Sequence, residues 1–393
     1  MEITKQHKEF FQCSEKNNVF LNAAAGSGKT TTLVYLAKLY SDKKILFLSF
    51  NRFIALELKE KIKNQTVSTI HSLAYKSIKL IEPNSSIVCK EKKQSLNTLS
   101  GFVNEVYSKY KNKDLKVFSF NELLAFGAAS LRNNYKSHSL HYDYIFIDEF
   151  QDLSDLQILF LFEFIKFLNK KPRIICTGDI NQCIYQFSGI SKKGIYKNLE
   201  KLDVSKIVSL PVTYRCPSSL TSLVSSLKSP FYPINMIPRH SEGSVFFPET
   251  ISAQNLASSS FVLSRTRKEL LDLFIESRLA NLNSYFIDST LLQSPENWTD
   301  LDAHIYNYLK KFLGDSFLLH VAEKQQKNAI NFMTIHKSKG LQSENVYILN
   351  MENFYKNQLS HYNYKNKEKQ WEGNNLFYVA ATRTKQNLYM VEK

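Results

Sequence analysis

Residues 19–40 read VFLNAAAGSGKTTTLVYLAKLY, and the fold is decided there. Val19 to Asn22 is a short apolar run, a turn with Gly26 and Gly28 follows, and Lys29 to Tyr40 carries a helical pattern. A strand, a glycine turn and a helix opening on Lys and Thr are the context of a phosphate-binding loop. Gly26 and Gly28 let the backbone turn tightly and present amide N–H groups to phosphate oxygens. The helix N-terminus adds its positive dipole end. On this reading Ala25, Gly26, Ser27, Gly28, Lys29, Thr30 and Thr31 line the phosphates of a nucleotide such as ATP. Lys29 sits on the β- and γ-phosphates and Thr30 ligates Mg²⁺.

A second run, YIFIDE at 144–149, is apolar and ends in two carboxylates. A buried parallel strand reads as a continuous apolar run, and its C-terminal end faces the ligand crevice of an open α/β sheet. Asp148 is the expected Mg²⁺ ligand, and Glu149 the group that orients the attacking water or takes its proton. A glycine turn before a helix and an acidic turn after a strand are each common alone. Together they define a P-loop nucleotide hydrolase, a class too broad to name a function.

The alternation continues outward. Ile45 to Phe50 precedes a helical pattern at Arg52 to Ile62, Tyr144 to Asp148 precedes Leu156 to Leu168, and Ile174 to Thr177 is another short strand. It resumes at Phe261 to Ser264, Thr266 to Leu279, Ile330 to Thr334 and Val346 to Asn350, then a helix near Asn374 to Ala381 and a strand near Asn387 to Val391. Strands alternating with helices imply parallel sheets covered on both faces. Two such α/β units fit 393 residues. Ile81 to Leu140 breaks the pattern: it is polar and helix-friendly, shows no clear buried strand, and holds nine Lys/Arg against five Asp/Glu. It is expected to be a small basic helical insertion. Ser229 to Gln254, with four prolines, reads as loop or short strands, and Phe354 to Gln370 as an exposed basic loop.

Composition narrows the class. Hydrophobic residues are 43% and charged residues 22%, as in an ordinary globular chain. The formal net charge of +15 points to polyphosphate, nucleic acid or another anionic partner. No apolar run approaches the roughly 18 residues that span a bilayer, and the polar N-terminus has no secretory core. Cys13, Cys89, Cys176, Cys183 and Cys216 are scattered without a C-x-x-C pair, which argues against a zinc or iron–sulfur site and for a reducing compartment.

Further motifs carry a specific resemblance. They are FNR at 50–52, TIHS at 69–72, DEFQD at 148–152, GDINQCIYQFSG at 178–189, the run Thr213 to Arg215, TIHKSKGL at 334–341 and LFYVAATR at 376–383. In this order they resemble the superfamily 1 DNA helicases of the UvrD/Rep/PcrA type, from about Thr4 to Val391. LSFNRFIA at 48–55 and STIHSLAY at 68–75 look closest to the F-box DNA helicase branch.

The resemblance implies two tandem RecA-like domains: 1–80 with 141–205, interrupted by the insertion at 81–140, and 206–393, its second insertion reduced or absent. It implies an ATP- and Mg²⁺-dependent motor on single-stranded DNA or a single-strand/duplex junction, travelling 3′ to 5′. Gln6 would read adenine, since an amide can donate to and accept from the base edge. Tyr214 would stack on that base, and Gly340 and Gln342 would lie near the ribose. Arg215 and Arg383 would reach the γ-phosphate, where guanidinium groups offset charge spreading over the phosphoryl oxygens, and Gln182 would sense it. Because the arginines come from the second unit, ATP would draw the units together. Phe50, Phe187 and Tyr185 would stack on bases, and Asn51, Arg52, His71, His336 and Lys337 would line the strand.

The chain departs from the pattern in places. Gln186, Phe187 and Ser188 stand where relatives have Trp-Arg after the Ile-Tyr-Gly of this motif, so one ionic contact is missing. Gln342 replaces a customary Glu. The space between Arg215 and Thr334 leaves little for a second inserted domain, which implies a minimal motor. The chain ends ten residues after Arg383, so a nuclease, loader or replication or repair factor is expected as a separate partner. The alternative is an ATP-gated nucleic-acid-binding or remodelling component of a larger complex, without unwinding of its own. The Lys, Asn and Tyr bias suggests an AT-rich genome, viral, plasmid or bacterial; a cytoplasmic location is expected, with the nucleus as the alternative.

Overall fold

The computed structural model describes residues 3–49, 52–89, 98–134, 140–185, 190, 192–226, 235–351 and 367–392. Of 52–53, 192 and 367–370 it describes the backbone. By its contacts the chain forms two compact units. The first comprises Met1–Ala23, Gly28–Ile180 and Tyr185–Leu210; the second comprises Ala24–Ser27, Asn181–Ile184 and Pro211–Lys393.

The first unit opens with α1 (Lys5–Lys16), capped by Thr4: the Thr4 hydroxyl accepts from the His7 N–H while the His7 ring accepts from the Thr4 N–H. There follow β1 (Val19–Ala23), α2 (Lys29–Leu39), β2 (Ile45–Ser49), α3 (Arg52–Lys61), β3 (Thr66–Thr69) and α4 (Ile70–Ile81). Then come β4 (Ser86–Cys89), α5 (Leu99–Tyr110), β5 (Leu115–Phe118) and α6 (Phe120–Asn133). The unit closes with β6 (Tyr144–Ile147), α7 (Asp155–Phe167), β7 (Arg173–Gly178), α8 (Lys192–Lys201) and β8 (Lys206–Leu210). Six strands form one parallel sheet in the order β3-β2-β6-β7-β1-β8. β2 and β6 are buried at every position, as expected where helices cover both faces. Phe10, Leu33, Leu36, Phe47, Phe146 and Ile175 belong to the core on one of those faces.

The sequence-based picture of 81–140 needs correction. β4 and β5 form a two-stranded parallel ladder, with Lys116 and Phe118 of β5 buried. Lys116 hides that strand from a sequence reading, because a lysine is almost never buried without a partner; here it pairs with Glu82 at 2.9 Å and lies 5.5 Å from the Phe126 ring. α6 is buried along most of its length and packs against α4, α5 and α7. Gly127 allows that approach: a Cβ there would sit 3.2 Å from the Phe160 ring. The segment therefore packs into the first unit. The expected boundary at 206 also moves, to 211, because β8 pairs with β1 in the first sheet.

The second unit contains β9 (Val212–Thr213), α9 (Ser218–Ser226), β10 (Ile237–Pro238), β11 (Ser244–Phe246), β12 (Ser260–Ser264) and α10 (Leu271–Leu279). It continues with β13 (Ser284–Ile287), α11 (Asp300–Leu313), β14 (Val321–Ala322), β15 (Ile330–Thr334) and α12 (Ile335–Ser338). It ends with β16 (Ser343–Ile348), α13 (Lys367–Ala381) and β17 (Thr384–Met390). Its seven-stranded sheet is also parallel, in the order β11-β17-β16-β12-β15-β13-β14, and β9 pairs with β10. Phe274, Phe286, Ile305, Leu309, Phe317 and Phe332 lie in one core. The described residues between 235 and 328 supply strands and covering helices of this sheet rather than a body of their own. Among the described residues no helix is long and apolar enough to cross a membrane.

Candidate active site

In the first unit, β6, β7 and β1 are neighbours, so their C-terminal ends lie side by side. α2 leaves β1 through Gly28, whose φ is +86°, and the helix start has no side-chain cap. Its first-turn N–H groups therefore point out as an anion site would need them. Lys29 is buried, whereas Thr31 is exposed.

Asp148, just past β6, is 2% exposed. Its Oδ2 accepts from the Thr30 hydroxyl at 2.5 Å and its Oδ1 from the Thr177 hydroxyl at 2.8 Å. Burial pushes this carboxyl above its usual range and the Glu149 charge adds to that; the two hydroxyls and the Lys29 charge oppose it. Glu149 adopts the left-handed conformation at φ +53°, a costly one for a residue with a side chain. The fully buried Gln151 holds it: Nε2 donates to Glu149 Oε2 at 2.7 Å and to Asp152 Oδ2 at 3.2 Å, and Oε1 accepts from the Asp179 N–H at 3.1 Å. Gly178 makes room, since a Cβ there would fall 2.4 Å from Gln151 Oε1.

The residues fit a nucleotide with Mg²⁺. Hydroxyl and carboxylate oxygens of Thr30 and Asp148 already converge, which is the hard donor set Mg²⁺ takes. Ser27 Oγ is buried with no partner among the described residues.

In the second unit, Ala24–Ser27 packs on the segment after β9. Tyr214 N–H donates to the Gly26 carbonyl at 3.0 Å, and the Ala25 N–H donates to the Tyr378 hydroxyl at 3.1 Å. A Cβ on Gly26, whose φ is +74°, would meet Arg215 Cβ at 2.5 Å. Arg215 Nε donates to Gln342 Oε1 at 2.8 Å and a terminal nitrogen to the Thr382 carbonyl at 3.1 Å. Gln342, expected near a ribose, thus orients Arg215. Gly340 has φ +85° and is exposed, so a backbone turn is what requires glycine there.

Arg383 is 1% exposed, and its donors reach the carbonyls of Val379 at 2.8 Å and Leu341 at 3.3 Å, the Thr382 hydroxyl at 3.1 Å and Gln182 Oε1 at 3.3 Å. The Gln182 carbonyl accepts from Lys339 Nζ at 2.7 Å. The second unit therefore joins Arg215, Gln342, Thr382, Arg383 and Gln182 in one network. Tyr214 is exposed, and Gln6 lies half-buried in the first turn of α1.

The residues expected on a DNA track are less uniform. Phe50, Asn51 and Phe187, and the side chain of Arg52, lie outside the described residues. His71, on α4, packs edge-on to Phe120 at 5.3 Å, and burial draws its imidazole below the usual range. Burial does the same to His336, against a hydrogen bond to the Ile184 backbone that favours the charged form. Tyr185 is half-buried, its phenol pushed up by burial and by the charges of Asp152 and Glu149. Lys337 is committed to Asp288 at 3.3 Å, a fully buried carboxylate that also takes Arg267 at 2.8 Å.

Four residues of these networks do not stand out from sequence: Gln151, Thr177, Tyr378 and Thr382. Gln151, Tyr378 and Thr382 lie inside recognised motifs, which is the signal that could have found them.

Residues 6–188 match the family model of an AAA domain, and residues 256–393 that of the UvrD-like helicase C-terminal domain. The chain is similar to F-box DNA helicase protein 1 of Schizosaccharomyces pombe, 22% identical across 99% of this chain and 57% of that protein. It is also similar to an ATP-dependent helicase/nuclease subunit of Syntrophomonas wolfei, 27% identical over 36% of this chain and 12% of that one. The chain thus spans little more than half of the first relative and a small part of the second. Among solved structures, the arterivirus nonstructural protein 10 helicase in complex with DNA aligns with a TM-score of 0.41 and 13% identity, over 98% of this chain and 63% of that one.

Proposed function

The chain belongs to the UvrD-like superfamily 1 helicases, and on that premise we propose that it is an ATP-driven motor on single-stranded DNA, travelling 3′ to 5′. The observation that carries the proposal is the carboxylate pair after β6. Asp148 is tied to the Thr30 and Thr177 hydroxyls, and Glu149 is fixed beside it by Gln151.

Lys29 and the first-turn N–H groups of α2 would bind the β- and γ-phosphates of ATP. Thr30 and Asp148 would hold Mg²⁺, which when bound offsets charge on the phosphate oxygens. Glu149, its carboxylate aimed by Gln151, would orient a water for in-line attack and take its proton. Arg215 and Arg383 would neutralise charge at the γ-phosphate, and the Arg383–Gln182 hydrogen bond supports a γ-phosphate-sensing role for Gln182. Gln6 and Tyr214 would recognise adenine. Phe50, Phe187, Tyr185, Asn51, Arg52, His71 and His336 would contact the strand; Lys337 would support that surface through Asp288. Among the expected partners, a nuclease is the one the helicase/nuclease relative suggests.

The test is steady-state ATP hydrolysis with single-stranded DNA, duplex DNA or single-stranded RNA at one salt concentration, since such binding depends on salt. Strong stimulation by single-stranded DNA is expected, followed by displacement of a strand from a 3′-tailed duplex. Flat hydrolysis with every nucleic acid overturns the motor. ATPase without displacement leaves a translocase or a gated binding component.

A further inference from the structure

A lysine-rimmed apolar pocket lies in the first unit at the opposite end of β7 from Asp148. We propose that it docks an acidic segment of a partner protein carrying a large apolar side chain. The cavity is about 330 Å³, within the range that seats a side chain or small ligand. Phe162, Ile165, Leu168, Ile174 and Leu202 form its floor. Ile174 stands four residues before Gly178 on β7, so roughly 13 Å of strand separates the pocket from the catalytic end.

Its rim is cationic. Lys166 lies 4.1 Å from the centre of the Phe162 ring and Lys201 lies 5.3 Å from it, so two ammonium groups share one aromatic ring. Burial draws Lys201 below its usual range; Asp155 and Glu163 oppose this, and the Arg132 and Lys166 charges add to it. Lys171 pairs with Asp203 at 2.9 Å, but both side chains are about 70% exposed. Such a surface pair contributes little, so a partner's carboxylate can replace Asp203. A second, polar concavity of about 320 Å³ adjoins the first through Lys171 and Asp203 and adds Lys16 and Arg173. Anionic side chains therefore have cations on two sides of an apolar anchor.

Nucleic acid is the weaker match for this place. Base stacking needs an open aromatic face, whereas both lysines already occupy the Phe162 ring and the rest of the floor is aliphatic.

The full chain is titrated with three fluorescent peptides: one of aspartates flanking two phenylalanines, one with alanines for the phenylalanines, and one with serines for the aspartates. The first should bind roughly tenfold or more tightly than the others. Lys166→Glu with Lys201→Glu should reverse that preference while DNA-stimulated ATP hydrolysis stays unchanged. Lys201 is half-buried, so Lys166→Glu alone, on an exposed side chain, is measured beside the pair and should weaken binding severalfold. Equal binding of the aspartate–alanine peptide, or binding indifferent to both variants in folded protein, overturns the proposal. Displacement of the peptide by a single-stranded oligonucleotide in the wild type but not in Lys166→Glu overturns it in favour of a nucleic-acid contact.

Discussion

Gln151 holds Glu149 by a 2.7 Å hydrogen bond from its amide nitrogen, and its amide oxygen is itself fixed by the Asp179 N–H. A flexible carboxylate on a left-handed backbone is thereby given one direction. Positioning of this kind can be worth about a hundredfold in rate. Gln151→Ala should lower kcat for ATP by up to about that factor while leaving KM for ATP nearly unchanged. A raised KM with normal kcat would make Gln151 a support of nucleotide binding instead.

Gly26 is a second position where one atom decides. Its positive φ disfavours a side chain, and an added Cβ would collide with Arg215 Cβ at 2.5 Å. Gly26→Ala should cost about 1–3 kcal/mol of stability. It should also weaken ATP binding, because the loop backbone must shift. Urea unfolding with and without nucleotide measures both; an unchanged midpoint would mean the loop relaxes freely away from Thr213–Arg215.

Much of this is legible in the primary structure. β6, and β2 up to its last residue, are continuous apolar runs because both faces of a parallel sheet are covered, and the ends of β1, β2, β6 and β15 fall within a residue or so of the expected ones. The P-loop and the Asp148–Glu149 pair follow from local order along the chain. What does not show has its cause elsewhere in space. β5 carries a lysine whose burial depends on Glu82 and Phe126. α6 is rich in Ala and Gly, small residues whose burial only close packing on α7 reveals. β8 is half polar, and only its pairing with β1 moves it from the second unit, where it is expected, to the first. The direction of Arg383 and the partner of Gln342 depend on side chains more than a hundred residues away.

The Asp288 cluster should make the second unit acid-sensitive. Burial alone would raise this carboxyl, but the Arg267 hydrogen bond and the Lys337 and Arg267 charges outweigh it and hold it below the usual range. A depressed folded value contributes stability above the unfolded value of about 3.9, which is lost as pH falls through the folded value. Urea midpoints should therefore fall between about pH 5 and pH 3, and Asp288→Asn should show a shallower fall from a lower starting point. An equal fall in both proteins would assign the acid sensitivity to other carboxylates.

Tyr378 offers the narrowest test of the loop's fit. Its ring is buried in α13, and its hydroxyl accepts from the buried Ala25 N–H. Tyr378→Phe keeps the ring and removes that acceptor, leaving a backbone donor without its partner. An unsatisfied buried group of this kind costs about 1–3 kcal/mol. The variant should unfold at lower urea by that amount with an unchanged slope, since no new surface is exposed. Its ATP hydrolysis should fall only as far as the loop loosens, so kcat should change less than in Gln151→Ala. A midpoint equal to that of the wild type would mean that water reaches the Ala25 amide once the hydroxyl is gone.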